Sequence, residues 1–160
     1  MMINQVLERL RELLLHGGVE YREMDHAAAS TSEESARVRG ESLSVGAKAL
    51  LLKTDDVFRL FVLPADRQLD SKRVKQELGA RSVRFATREE LLELTGLVPG
   101  SVPPFGEPVL PFELYGDSAI GVFADRVAFN AGSLTSSIVM SATDWKALAR
   151  PRVFSFSKEL

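Results

Sequence analysis

Apolar residues return at intervals of three and four from Ile3 through Val6, Leu7, Leu10, Leu13 and Leu14, and Gly17-Gly18 follows them. That spacing turns one face of a first helix toward a core, and the glycine pair ends it. His16 falls in the last turn, where an imidazolium suits the helix dipole, and reads as structural. The period then changes to two: Val19 and Tyr21 alternate with Glu20 and Arg22 up to Met24, as in a half-exposed strand. Thr31-Ser32-Glu33-Glu34 has capping-box spacing, with Thr31 as N-cap and Glu34 reaching back, and predicts a short helix that Gly40 closes. Gly46 to Lys53 is apolar on both faces, as a central strand is. Thr54-Asp55-Asp56 turns it into Val57 to Leu63, predicting a hairpin.

Ser71 is placed to cap a helix through Leu78 that Gly79 stops, and Ser82 to Phe85 predicts a short strand. Thr87-Arg88-Glu89-Glu90 is a second capping box, opening a helix that Gly96 ends. Further strands are expected near Val109 to Leu114, Ala119 to Phe123 and Arg126 to Phe129, split by the turn residues Gly116-Asp117 and Asp125. Asn130-Ala131-Gly132-Ser133 interrupts the pattern before Ser136 to Met140 resumes it. Asp144 leads a last helix, and Val153 to Phe156 reads as an edge strand. Short helices and mostly antiparallel strands in mixed order indicate an α+β fold, without the βαβ alternation of a dinucleotide-binding sheet.

One segment fits neither period. Gly96 to Pro111 holds Pro99, Pro103, Pro104 and Pro108, with Pro111 at its far edge, together with Gly96, Gly100 and Gly106. Residues that fix or free φ at this density exclude helix and central strand. Yet Leu97, Val98, Val102, Phe105, Val109 and Leu110 give the loop apolar side chains that need burial. Proline removes donors that a buried loop would leave unpaired and lowers the entropy of the unfolded chain. The expected product is a stiff, partly buried wall exposing backbone N–H groups at Gly100 and Gly106. It is either a packed crossover between layers or a ligand-binding surface.

A length of 160 residues with 45% hydrophobic content fits one domain, 1–160, with a sizeable core. The chain has no cysteine, which removes disulfides, thiolate nucleophiles and Cys-based zinc sites and suits a reducing cytoplasm. No apolar run reaches membrane-spanning length, and the charged first helix does not read as a signal peptide, so the expectation is a soluble protein without a membrane partner. The net charge of −2 gives no global attraction to nucleic acid, but charge is unevenly spread. Between Arg67 and Arg88 seven cations (Arg67, Lys72, Arg73, Lys75, Arg81, Arg84, Arg88) face only Asp70 and Glu77, a solvated face or a track for an RNA backbone.

Alternation puts Lys48 on one side of its strand with Leu50 and Leu52, and Lys53 on the other with Ala49 and Leu51. Lys53 borders the turn. Lys48 lies between two alanines behind a glycine, either snorkelling or positioned for an anionic or carbonyl ligand. GxxxxGK[ST], GxGxxG, HExxH and GxSxG are all missing, and His16 and His26 are too few for a multi-histidine zinc site. A Ser-His-Asp system would have to rely on His26. Hydrolysis, if it occurs, must use positioning, backbone donors, a lysine and water. No cofactor is implied.

Taken in order, Gly46-Ala47-Lys48-Ala49-Leu50-Leu51-Leu52-Lys53, Gly100-Ser101-Val102-Pro103-Pro104-Phe105-Gly106 and Phe129-Asn130-Ala131-Gly132-Ser133, with the Thr31 box after His26, resemble the YbaK/ProX family of aminoacyl-tRNA deacylases. The likeness spans almost the whole chain. It implies a mixed, mostly antiparallel, barrel-like sheet with helices packed around it, and a free-standing counterpart of the editing domain of bacterial prolyl-tRNA synthetases. By the same resemblance, Lys48 anchors the terminal adenosine or orients the aminoacyl group, and Gly100 lies in the loop that holds the substrate carbonyl. His26, Thr31, Lys53, Val102, Pro103, Pro104, Phe105, Gly106, Phe129, Asn130, Gly132 and Ser133 complete the implied substrate-binding set. Phe129, a strand aromatic, reads first as core. The attacking water would be helped by the substrate's own ribose hydroxyl. Leu134 and Thr135 stand where many relatives carry a histidine or asparagine. The implied partners are the 3′ end of aminoacyl-tRNA and an aminoacyl-tRNA synthetase. A reading of a different class is a non-catalytic module of the same fold that binds tRNA or a synthetase.

Overall fold

The computed structural model describes residues 4–160; Met1 to Ile3, including the first apolar position of the helical stripe, lie outside the described residues. Helix α1 (Gln5–Gly17) is capped by the Asn4 side chain, which accepts from Leu7 N, and closes on Gly18 at φ 65°. It buries Val6, Leu10 and Leu14, the stripe that the spacing predicts. β1 (Tyr21–Asp25) and α2 (Ser32–Arg39) follow. Thr31 caps α2 by accepting from Glu34 N, but the Glu34 carboxylate reaches Ser30 N at 3.4 Å instead of returning to Thr31, so only half of the box forms.

A 3-10 turn at Leu43–Val45 leads into β2 (Ala47–Thr54), which pairs antiparallel with β3 (Val57–Pro64) from Ala47↔Pro64 to Thr54↔Val57. The register is unbroken, so Lys48 and Lys53 keep to opposite faces. After β4 (Arg67–Leu69) come α3 (Ser71–Leu78), β5 (Val83–Phe85) and α4 (Arg88–Thr95). Asp70, not Ser71, occupies the N-cap position of α3. The Thr87–Glu90 box at the head of α4 is complete in both directions.

Past the Pro-rich loop the chain departs from the alternation. Val109 to Phe112 forms turns, with Val109 and Leu110 N both donating to Gly106 O. β6 (Leu114–Asp117) contains the Gly116-Asp117 pair expected to break a strand. Ala119 to Phe123 is not a strand: the Asp117 carboxylate takes Ala119 N, the Asp117 carbonyl takes Ile120 N, and Gly121 sits at φ 84°, a series of local turns. β7 (Arg126–Asn130), β8 (Ser136–Ser141), α5 (Ala142–Ala149), β9 (Arg152–Phe154) and β10 (Ser157–Glu159) complete the order. Ser141 caps α5 by accepting from Asp144 N, so Asp144 lies inside the helix.

The strands form sheets ordered β5-β2-β3-β6-β9, β1-β8-β7 and β10-β4. Pairing is antiparallel throughout except β3 with β6 and β6 with β9. The sheets do not close into one barrel; a parallel bridge between Gly46 and Ala128 joins the two larger ones. The main core lies between them, where Ala47, Leu51, Leu60 and Val62 meet Val127, Phe129, Ile138 and Met140, with α1, α5 and the Pro-rich loop filling the ends. A second cluster on the outer face of the five-stranded sheet packs Leu52, Phe61, Leu63 and Tyr115 under Val74 of α3 and Phe156. Apolar cover on both sides is why β2 and β3 carry no simple alternation. No helix among the described residues is long and apolar enough to cross a membrane.

Candidate functional site

The Pro-rich loop is a packed wall. Leu97, Val102, Phe105, Val109 and Leu110 are buried, and Phe105 meets Phe129 edge-on with ring centroids 5.6 Å apart. Ser101, 1% exposed, closes the bend by donating to Val98 O at 2.7 Å and accepting Val98 N, and its carbonyl takes Gly132 N at 2.9 Å. Gly100 sits at the exposed tip of this bend with φ 88°, and a Cβ there would lie 3.1 Å from Ser30 O. Both facts favour glycine at this position.

Gly100 faces a cavity of about 230 Å3. One wall is α2, which turns Ser32, Ser35 and Arg39 inward at helical spacing below Ser30 and Thr31. The opposite wall is the start of β2, Gly46 to Leu50, with Ala65 beside it; Gly100, Val102 and Asn130 complete the lining. Lys48 is half-buried and, among the described residues, its ammonium takes part in no hydrogen bond or ion pair. Burial lowers its pKa from the ordinary 10.5, opposed by the charges of Glu33 and Asp66.

Behind the cavity lies a buried polar network. Arg39, 9% exposed, donates from Nε to Ser137 Oγ at 2.9 Å, from Nη2 to Asn130 Oδ1 at 3.1 Å and from Nη1 to Ala128 O at 3.4 Å. Burial pulls its pKa down to about 10, opposed by Glu41, so the guanidinium remains charged at neutral pH. Asn130 Nδ2 donates to Gly100 O at 2.7 Å and to Ala29 O at 3.3 Å. His26 joins from the far side, with Nε2 2.7 Å from Ser137 Oγ and Nδ1 2.8 Å from Ala27 O.

Of the residues singled out in the sequence, Thr31, Lys48, Gly100, Val102 and Asn130 come together around the cavity. His26 stands one hydroxyl behind Asn130. Lys53 lies at the other end of β2, its Nζ 5.8 Å from the Phe58 ring centroid. Pro103, Pro104, Phe105 and Phe129 are buried behind the wall, Pro104 O accepting the Trp145 indole N–H. Gly106 is also buried, with its carbonyl in the turn to Val109 and Leu110, and does not line the cavity. Gly132, at φ 82°, ties the loop to Asn4, and Ser133 is occupied by Thr135.

Sequence reasoning passed over Ser35 and Arg39. The available signal was that SEESARVR, the whole of α2, has no apolar stripe, so a packed face of that helix must turn polar groups inward. Among the described residues no group of three His, Cys, Asp or Glu is placed to hold a metal ion.

Residues 26–148 match the family described as "Aminoacyl-tRNA editing domain". The chain is 33% identical over 156 residues to the "Multifunctional Ser/Thr-tRNA deacylase ProXp-y" of Escherichia coli, covering 94% of this chain and 92% of that protein. It is 34% identical over 116 residues to the proline–tRNA ligase of Shouchella clausii, covering 72% of this chain and 20% of the ligase. A crystal structure of a candidate trans-editing enzyme for prolyl tRNA synthetase shares the fold, with a TM-score of 0.81 at 24% identity over 98% of this chain and 99% of that one.

Proposed function

Because this chain belongs to the aminoacyl-tRNA editing domain family, we infer that it is a trans-editing hydrolase that deacylates mischarged aminoacyl-tRNA. A synthetase pocket gains only about 1–3 kcal/mol from one methylene, so small or isosteric amino acids slip through and a second sieve removes them. In the reaction, water adds to the ester carbonyl carbon and negative charge gathers on the carbonyl oxygen. The terminal ribose oxygen then leaves with a proton, giving free amino acid and intact tRNA.

The chemistry of the cavity lining carries this reading furthest. It holds two cations, four hydroxyls, one carboxamide and small apolar residues, but no carboxylate or imidazole among the described residues. No carboxylate or imidazole there takes a proton from water, which leaves the ribose hydroxyl next to the ester to orient the water and relay its proton to the departing ribose oxygen. The protein supplies position and charge. Lys48 anchors the 3′-terminal nucleotide or orients the aminoacyl group, and Gly100 gives backbone approach to the carbonyl. Small walls at Gly46, Ala47, Ala49 and Ala65, with hydroxyls at Ser30, Thr31, Ser32 and Ser35, suit a small hydroxylated amino acid such as serine or threonine.

Phosphates of the acceptor end need cations outside the cavity. In the basic run, Arg84 is taken by Glu90 at 2.8 and 3.0 Å, Arg67 by Ser157 and Arg73 by Asp70. Lys72, Lys75, Arg81 and Arg88 have no ion-pair partner among the described residues and form the track. The chain 1–160 works as one editing domain, in the cytoplasm, on tRNA released by a synthetase.

The test is release of amino acid from a panel of mischarged tRNAs by wild type and Lys48→Ala at matched fold stability. Cleavage of seryl- or threonyl-tRNA, reduced on the order of 100-fold in the variant, is expected. Salt-dependent tRNA binding without cleavage above the spontaneous rate would replace the enzyme by a binding module.

A further inference from the structure

Three neighbours distinguish the two ends of the Asn130 carboxamide: Arg39 on one side, and the acceptor-only carbonyls of Gly100 and Ala29 on the other. Ser137 Oγ, which also meets this amide, can donate or accept, and the His26 ring behind it changes role with its tautomer, so that side selects neither end. Arg39 only donates. The atom 3.1 Å from its Nη2 is therefore Oδ1, and Nδ2 must face the carbonyls of Gly100 and Ala29. Reversing the amide would set an oxygen against two carbonyl oxygens and an N–H2 against a guanidinium.

Arg39 has no carboxylate within ion-pair distance among the described residues, although it is almost fully buried. A buried guanidinium without a counter-ion opposes folding, and here it is offset only by hydrogen bonds to uncharged oxygens. Packing alone does not account for an arginine here. Its contacts converge instead on the groups that join three separate segments around the cavity: the chain before α2 at Ala29, the Pro-rich loop at Gly100, and β7 at Asn130.

We propose that Arg39 is a positioning residue for the hydrolytic site: it holds the Oδ1 end of the Asn130 amide, whose Nδ2 end then clamps the Gly100 loop against the chain before α2. This rests on the deacylase reading. The clamp holds the glycine wall at the distance the ester carbonyl requires, so its loss affects the chemical step more than substrate capture.

The experiment compares steady-state deacylation of the tRNA that wild type cleaves fastest with that by Arg39→Met, Arg39→Lys and Asn130→Asp. Arg39→Met and Asn130→Asp should lose about 30-fold in kcat with KM moved less than about threefold, and Arg39→Lys, still a donor-only cation, should recover part of the loss. Asn130→Asp is the decisive variant. It gives Arg39 a counter-ion, which offsets the burial of the new charge, while presenting only oxygen to the Gly100 and Ala29 carbonyls. Hydrogen exchange supplies a readout independent of catalysis: the Ser101 and Gly132 amides, which hold the loop, should exchange at least about tenfold faster in Arg39→Met at unchanged global stability. Wild-type kcat in Arg39→Met or Asn130→Asp, or unchanged protection of both amides, overturns the proposal. A wild type that cleaves no tRNA refutes the deacylase reading alone, and exchange still decides the clamp.

Discussion

The indole N–H of Trp145 donates to the carbonyl of Pro104 at 2.8 Å, with both residues buried. This bond pins the middle of the Pro-rich loop to α5, where proline's missing donors leave few other anchors. Trp145→Phe keeps most of the apolar volume but strands the Pro104 carbonyl. It should lower unfolding stability by about 1–3 kcal/mol in urea titration. Loss of activity at temperatures where the variant is fully folded would show that the anchor also shapes the cavity.

Gly100 and Gly106 sit six positions apart in one loop and should fail differently. Gly100→Ala places a side chain at φ 88° and 3.1 Å from Ser30 O, a strain of about 1–2 kcal/mol, at the edge of the cavity. Gly106→Ala drives a Cβ to 2.5 Å from Phe112 O inside the core, costing about 1–3 kcal/mol or more. The first variant should lose deacylation beyond what its melting shift explains. The second should lose it only in proportion to unfolded protein.

Lys48 sets an alkaline limit. If Lys48 anchors the substrate as proposed, its ammonium is the binding form; burial places its pKa below 10.5, so affinity for a non-hydrolysable 3′-amide analogue of aminoacyl-adenosine should fall at a lower pH than an ordinary lysine would give. Glu33 and Asp66 hold the pKa up against burial, so Glu33→Gln or Asp66→Asn should move the fall lower still. The same shift predicts a stability effect of opposite sign to activity. The folded state binds the lysine proton less well than the unfolded chain, so below the folded pKa the charge opposes folding. Lys48→Met should therefore raise the thermal midpoint at neutral pH while losing activity. A midpoint below wild type would contradict this.

Asp117 is 2% exposed, and its carboxylate accepts from Ala119 N, Phe156 N, Ser157 N and Ser157 Oγ. Asn at this position turns one acceptor into a donor facing donors. Asp117→Asn should cost about 2–3 kcal/mol, read as a lower urea midpoint and freer exchange at Ser157.

That carboxylate also marks where local sequence signals stop. The α1 stripe, the Thr87–Glu90 box and the β2–β3 hairpin were legible because their partners lie within a few residues. Gly116-Asp117 reads locally as a turn and is instead the buried end of β6, because the donors that satisfy Asp117 come from the segment at Phe156 and Ser157. The Lys48 wall and the Gly100 loop could be read as parts of one site, but equivalent chemistry at Gly106 and Lys53 gave no hint that packing would turn them away. Arg39 was hidden for the opposite reason: arginine at the end of a polar helix looks like a solvated residue, and only its distant acceptors at Ala128, Asn130 and Ser137 draw it inside.

β6 lies between β3 and β9 and runs parallel to both. Its neighbours are therefore made far apart in time on the ribosome. The β2–β3 hairpin that carries Lys48 emerges with one flank open, and that flank stays uncovered while more than a quarter of the chain is still to be translated. Even after β6 docks, its own outer edge waits for Arg152 to Phe154. A nascent chain thus displays an unpaired β3 edge, a surface that chaperones or a second nascent copy can engage, and the lining of its cavity is complete only when Asn130 has been synthesised.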